Sequence, residues 1–237
     1  MELAKVIELK ESILENNDQD AQVLRDELKA KKICLVNLMS SPGSGKTTTL
    51  MALNKYFKDQ ISWGVMEADI DSSVDAQTML EAGVPSVQLH TGGMCHLDAD
   101  MTRQGIRAME SHIAEKNNNG MSDSDKSGLD LLFLENIGNL VCPAEFDTGA
   151  ALNMTILSVP EGDDKPAKYP LMYEVADLLV VNKIDALAVF DFDKERMERD
   201  VLTRNPDMKI FYISALTGEG VEELASYLIE KTKEWNA

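Results

Sequence analysis

The stretch "ICLVNLMSSPGSGKTTTL" constrains this chain more than any other. A continuous apolar run, 33–39, is of strand length and runs directly into a glycine-rich loop. A helix is expected to start at about Lys46. Strand, glycine loop and helix in that order are the setting of a phosphate-binding loop, whose pattern is G-x-x-x-x-G-K followed by Ser or Thr. Gly45, Lys46 and Thr47 match its end, while its first position falls on Ser40 instead of glycine. That position needs a small residue, and serine is the next smallest candidate. Gly43 and Gly45 can take backbone angles that other residues resist. Successive N–H groups through Ser44 to Thr48 then face phosphate oxygens, helped by the positive end of the helix. Lys46 is expected to reach the β- and γ-phosphates, and Thr47 to offer its hydroxyl to Mg²⁺.

Other apolar runs, at 63–69, 86–90, 130–136, 154–160, 177–183 and 209–215, read as strands buried on both faces. Helical patterns alternate with them, at 74–82, 98–115, 170–176, 193–203 and 220–234. The alternation predicts an α/β fold, with a mostly parallel sheet and helices on both faces. Leu3, Val6, Ile7, Ile13 and Leu14, then Val23, Leu24 and Leu28, have helical spacing and predict two N-terminal helices. Residues 1–31 are expected to be a helical segment and 32–237 the nucleotide domain. The polar stretch 115–128 reads as a mobile surface insertion.

A second motif, "NKID", ends the strand "DLLVV". In N-K-x-D the aspartate, here Asp185, accepts from guanine N1 and the 2-amino group, which adenine does not offer. A buried carboxylate left unpaired is costly, so one such contact discriminates strongly. Asn182 is expected to position the loop, and the Lys183 stem to lie along the base. Ser214, Ala215 and Leu216 resemble the S-A-K/L loop of GTPases, where a backbone N–H meets guanine O6. Asp69 and Glu135 end strands, and Asp75 follows closely on the first. Gly138, three places after Glu135, imitates the D-x-x-G element that follows Mg²⁺ and the γ-phosphate. Asp69, Asp75 and Glu135 therefore join Thr47 as Mg²⁺ candidates.

Cys95 and His96 lie together after two glycines, and Cys142 follows Glu135 in "ENIGNLVCPAEFD". Thiolate and imidazole suit Zn²⁺, Ni²⁺ or Cu⁺. Three ligands are too few for a closed structural zinc site, so the set implies an open site or one completed by a second subunit. Three cysteines in all make no disulfide framework.

A net charge of −18 repels phosphate backbones and argues against nucleic acid as a partner. The N-terminus lacks a signal peptide's apolar core, and no apolar run is long enough to span a membrane. A cytoplasmic location is expected.

The stretches "SSPGSGKTT", "GGMCHLDA", "ENIGNLVCPAEFD", "EGDDKPAKYP" and "VVNKIDA", in this order, resemble the HypB family, GTPases that help deliver nickel during NiFe-hydrogenase maturation. The resemblance covers roughly 33–230, and a serine at the first loop position is ordinary there. It implies a phosphate-loop NTPase of the deviant class that includes nitrogenase iron protein, with slow GTP hydrolysis to GDP. It further implies a nucleotide- and metal-dependent homodimer whose interface carries a Ni²⁺ or Zn²⁺ site from Cys95, His96 and Cys142. Lys46, Thr47 and Glu135 would manage phosphates and Mg²⁺, and Asp69 would orient the attacking water. The implied partner is a HypA-type nickel metallochaperone at the N-terminal helices, and through it the hydrogenase large-subunit precursor. The N-terminus has neither the C-x-x-C-G-C motif nor the histidine-rich stretch of some members, so nickel storage is not carried over. Two alternatives remain at this point: a UreG-like urease-maturation GTPase, which would carry Cys-Pro-His, and a non-catalytic metal-binding or storage protein.

Overall fold

A computed structural model describes residues 9–69, 74–118 and 128–237, with side chains described for 14–68, 77–115 and 128–237. Its centre is a seven-stranded sheet in which every neighbouring pair is parallel. The strands are β1 (Cys34–Ser40), β2 (Trp63–Asp69), β3 (Ser86–His90), β4 (Leu131–Glu135), β5 (Leu152–Ser158), β6 (Leu178–Asn182) and β7 (Lys209–Tyr212). Their order across the sheet is β3-β2-β4-β1-β5-β6-β7. After β1 the chain builds outward to one edge, then returns and crosses β1 to build the other half. The end of β1 is thus the switch point of the sheet, where open α/β folds bind ligands.

The helices are α1 (Leu9–Lys31), α2 (Lys46–Phe57), α3 (Val74–Glu81), α4 (Ala99–Asn118), the short α5 (Cys142–Glu145), α6 (Lys165–Lys168) and α7 (Pro170–Val175), then α8 (Lys194–Arg204) and α9 (Val221–Asn236). Alternation along the strands assigns them to faces. Cys34, Val36 and Leu38 pack with Leu50, Leu53 and Phe57 of α2 and with Leu224 and Leu228 of α9. Leu35, Leu132 and Leu134 face the other way, onto Leu24 and Leu28 of α1 and Ile106 and Met109 of α4. A further cluster on β5 and β6 packs on Met172 and Tyr173 of α7 and Met197 and Val201 of α8.

The two N-terminal helices expected from the spacing are one in the described part. Helix α1 runs unbroken from Leu9 to Lys31, because "ENNDQD" holds polar residues of modest propensity but no proline or glycine to stop it. Leu3, Val6 and Ile7 lie outside the described residues. The helix ends where Lys32 takes a left-handed backbone, φ 58°. Ile33 N–H then donates to the Leu28 carbonyl (3.0 Å) and Lys32 N–H to that of Lys29 (3.1 Å). This left-handed stop turns the chain straight into β1. Leu24 and Leu28 are 2% and 1% exposed. Each contributes about 1.5–3 kcal/mol by leaving water, so α1 is fastened to the sheet as part of its core. Helix α4 extends to Asn118, and 119–127, most of the expected insertion, lie outside the described residues.

Two buried asparagines sit among the apolar strands. Asn136 donates to Asn37 Oδ1 (3.1 Å), and Asn37 donates to Asn153 Oδ1 (3.0 Å), a ladder that crosses from the end of β4 through β1 to β5. A slip of one residue would leave buried amides unpaired, so the ladder fixes register beside the site.

Candidate functional site

The phosphate loop leaves β1 at Ser40, which is fully buried. Its hydroxyl donates to the Ser41 carbonyl (2.9 Å) and accepts from the Ser44 hydroxyl (2.7 Å). Serine at the first position therefore braces the loop from within, which a glycine could not do. Gly43 and Gly45 have φ of 76° and 98°, in the left-handed region that side chains resist. Gly45 has a second reason to lack a side chain, since an added Cβ would lie 2.5 Å from Asn182 Nδ2.

That contact joins the two motifs. Asn182, 1% exposed at the end of β6, donates to the Ser44 carbonyl at 3.0 Å. Its Oδ1 accepts from the N–H groups of Lys183 (2.7 Å) and Ala215 (3.1 Å). One amide thus ties together the phosphate loop, the Lys183 turn and the loop of Ser214, Ala215 and Leu216. Lys183 is left-handed too (φ 62°), an uncommon state for a non-glycine residue, and its Nζ reaches the Gly43 carbonyl at 2.7 Å. Its stem is laid over the loop. Asp185 accepts from the Ser214 hydroxyl at 2.5 Å and is exposed, beside a Leu216 that is 81% exposed. This leaves an open shelf at the ends of β6 and β7.

On the other flank Lys46 and Thr47 open α2, both half-buried, with Thr48 exposed. Lys46 Nζ lies 3.9 Å from an oxygen of Glu135, the buried last residue of β4. Beyond Glu135 the chain passes over the loop. A Cβ on Gly138 would meet Pro42 ring and backbone atoms at 3.0–3.2 Å, so these segments touch with no spare room. Asp69 ends β2 and Asp75 lies in α3, while their side chains and residues 70–73 lie outside what is described.

Two acids went unnoticed in the sequence. Glu67 is 4% exposed and pairs in register with Glu135 on the neighbouring strand, a second buried carboxylate in the same row. Its signal was an acid inside the apolar run "WGVMEAD". Glu161 hydrogen-bonds the Ser41 hydroxyl of the phosphate loop and accepts from Ser158 N–H (2.8 Å) and Oγ (2.6 Å). The capping pattern Ser-x-x-Glu in "SVPE" marked that turn. Lys168 is ion-paired with Asp164 at 2.5 Å.

The cysteines meet. Cys95 Sγ lies 2.8 Å from Cys142 Sγ, both free thiols, and His96 Nδ1 lies 3.9 Å from Cys95 Sγ. The His96 ring stacks on Phe146, centroids 3.7 Å apart. The hydrogen bond to Cys142 raises the Cys95 pKa, which favours its protonated form. Burial lowers that of His96 and keeps its ring neutral, against the opposing pull of Asp98 and Glu145. Neutral imidazole and paired sulfurs are donors suited to a soft or borderline cation. Among the described residues, no group of three or more His, Cys, Asp or Glu is arranged to hold a metal ion. No helix among them is long and apolar enough to cross a membrane.

The family model described as "CobW/HypB/UreG, nucleotide-binding domain" matches residues 34–212. The Hydrogenase/urease maturation factor HypB of Helicobacter hepaticus is 38% identical over 96% of this chain and 88% of its own length. The Hydrogenase maturation factor HypB of Escherichia coli K12 is 37% identical over 96% of this chain and 73% of its own. This chain belongs to the HypB family.

Solved structures agree. A crystal structure of HypB from Helicobacter pylori in complex with nickel superposes with TM-score 0.80 at 36% identity, covering 92% of this chain and 96% of that one. HypB from Archaeoglobus fulgidus gives 0.79 at 32% identity, covering 92% and 100%. The GDP complex of signal recognition particle 54 kDa protein from Aeropyrum pernix shares the fold alone, with TM-score 0.54 at 13% identity. The phosphate-loop α/β fold expected from the sequence is therefore correct, as is the family.

Proposed function

We propose that this HypB-family chain is a GTP-hydrolysing metallochaperone that binds nickel, and zinc comparably, and assists nickel insertion into a NiFe-hydrogenase precursor. The observation that carries the nucleotide half is Asn182, whose one amide holds the phosphate loop, the Lys183 turn and the Ser214 loop in a single arrangement. The metal half rests on the thiol pair of Cys95 and Cys142 with His96 beside it. A HypB relative crystallised with nickel supports that cargo.

In this reading, Asp185 takes guanine N1 and the 2-amino group, Ala215 N–H meets O6, and Leu216 covers the base edge. Gly43 to Thr48 cradle the phosphates. Lys46 leaves Glu135 for the γ-phosphate and stabilises the charge that develops there. When bound, Mg²⁺ supplies charge neutralisation at the phosphates. The oxygen donors Thr47 and Glu135 suit that hard cation, with Asp69 and Asp75 as further holders. Asp69 also orients the attacking water. Hydrolysis is slow.

The open thiol pair favours a homodimer across the nucleotide faces, each copy bringing Cys95, His96 and Cys142 to one shared site. A HypA-type nickel metallochaperone docking at the N-terminal segment, residues 1–31, completes the partner set. GTP turnover measured beside ATP turnover, with Lys46→Ala as reference, tests the enzyme: rates equal to those of Lys46→Ala would defeat it. Sedimentation with a non-hydrolysable GTP analogue and Mg²⁺ tests the dimer, and a monomer there would contradict it.

A further inference from the structure

Asn17 of α1 is 8% exposed and spends both ends of its amide on the two cysteine-bearing segments. Its Nδ2 donates to the Asp147 carbonyl (2.9 Å), on the segment that begins at Cys142. Its Oδ1 accepts from Ala99 N–H (3.0 Å), at the end of the segment that holds Cys95 and His96. Ala99 opens α4, so its N–H is one that no helical carbonyl can satisfy, and Asn17 is its partner. The helix holds the Cys142 side a second time through Arg25, which binds both Asp147 oxygens at 2.7 Å and the Ala150 carbonyl at 2.9 Å. The Cys95 segment and the Cys142 segment belong to different crossovers of the sheet, and no strand pairing joins them. The segments touch at the thiol pair and at the His96–Phe146 stack, and helix α1 splints them from outside, with Asn17 hydrogen-bonded to both.

We propose that Asn17 is a positioning residue that sets the separation of Cys95 and Cys142. The thiol pair is metal-binding only in the reading above, so the first test uses no metal. A bifunctional thiol alkylator that fluoresces only when both arms react reports whether the two sulfurs stay within one small bridge. Cys34 is buried and does not compete.

Asn17→Leu leaves Ala99 N–H and the Asp147 carbonyl without partners. Bridging is expected to fall severalfold relative to single alkylation, because unsatisfied buried groups let the two segments separate. Asn17→Asp keeps an acceptor for Ala99 but sets a carboxylate against the Asp147 carbonyl. A smaller fall is expected, and this variant decides the matter if Asn17→Leu does not fold. Leu228→Ala, on α9 at the opposite face of the sheet, lowers stability without touching α1. Its bridging should stay near that of the parent. Parent-level bridging in both Asn17 variants, or an equal fall in Leu228→Ala, would overturn the proposal. Ni²⁺ titration of the same proteins is read separately. Reduced bridging with unchanged Ni²⁺ affinity would uphold the positioning role and count against nickel at these thiols.

Discussion

The side-chain amide of Asn182 donates to the Ser44 carbonyl at 3.0 Å, so the residue that opens the N-K-x-D motif is bonded into the phosphate loop. The same amide accepts two backbone N–H groups, and an added Cβ on Gly45 would strike it. Asn182→Ala strands one buried carbonyl and two N–H groups. At about 1–3 kcal/mol for each unsatisfied buried group, less what water recovers, nucleotide affinity should drop at least about tenfold. Asn182→Asp retains the acceptor but opposes the Ser44 carbonyl, and should fall between. Titration with a fluorescent GDP analogue measures both, and parent affinity in Asn182→Ala would refute the hub.

Base choice should rest on Asp185, which Ser214 holds at 2.5 Å. Asp185→Asn replaces an acceptor pair by a donor and an acceptor, which suits xanthine, whose O2 accepts where guanine's 2-amino group donates. Competition among GTP, XTP and ATP should show GTP far ahead in the parent and XTP ahead in the variant. Equal ATP and GTP binding by the parent would defeat the assignment.

Gly138 and Pro42 leave no room for a methyl group. Gly138→Ala must push the segment after Glu135 away from the phosphate loop by a few tenths of an ångström. Reacting groups tolerate such errors poorly, with roughly 1 Å costing about 100-fold, so hydrolysis should fall about tenfold. Nucleotide affinity should change less. A variant with parent turnover would show that this contact does not matter to the chemistry.

Much of this site could be read from the chain because its chemistry is local. Gly43, Gly45, Lys46 and Thr47 fall in one turn, and Asn182 to Asp185 in another, each with a backbone demand that only certain residues meet. What escaped depends on partners far away in sequence. Asn17 reads as an ordinary polar helix residue until Ala99 and Asp147 are brought to it. Glu67 is a lone acid inside an apolar run until Glu135 lies beside it in register. The helix count failed for another reason. The polar run between Leu14 and Val23 reads as a break, yet Asn17 and Ala21 within it are buried and α1 continues through them.

Cys34 gives a pH dependence of stability. It lies on β1, 1% exposed, and burial pushes its thiol up from 9.0 to about 11, against the hydrogen bond of Thr232 and the charge of Lys29. The folded pKa is above the unfolded one, so this contribution is whole below pH 9 and is lost as pH rises toward 11. At about 1.4 kcal/mol per pH unit the loss reaches about 3 kcal/mol. Urea midpoints between pH 8 and 11 should therefore fall more steeply for the parent than for Cys34→Ala. Parallel curves would remove Cys34 as the cause.

Nucleotide state should also reach the metal. Glu135 lies beside Lys46, Gly138 against Pro42, and Cys142 follows on the same segment, so whatever moves Lys46 toward a γ-phosphate strains the path to that thiol. Cys95 and His96 sit on another segment, whose far end Asn17 of α1 holds at Ala99 N–H. Sulfur and nitrogen ligands must sit within about 0.2 Å of their ideal distances, so a small shift of one segment relative to the other changes affinity. Coupling of about 1–3 kcal/mol corresponds to roughly 5–150-fold, and it is reciprocal: Ni²⁺ should change the affinity for the GTP analogue by the factor by which the analogue changes that for Ni²⁺. Titrating Ni²⁺ into the GDP and GTP-analogue forms, then each nucleotide into the Ni²⁺-loaded protein, gives both factors. Cys95→Ala and Cys142→Ala should each lose Ni²⁺ binding, and Gly138→Ala should shrink both factors together. Identical Ni²⁺ affinity and stoichiometry in the two nucleotide states would sink the coupling, and unchanged binding in both cysteine variants would remove the site.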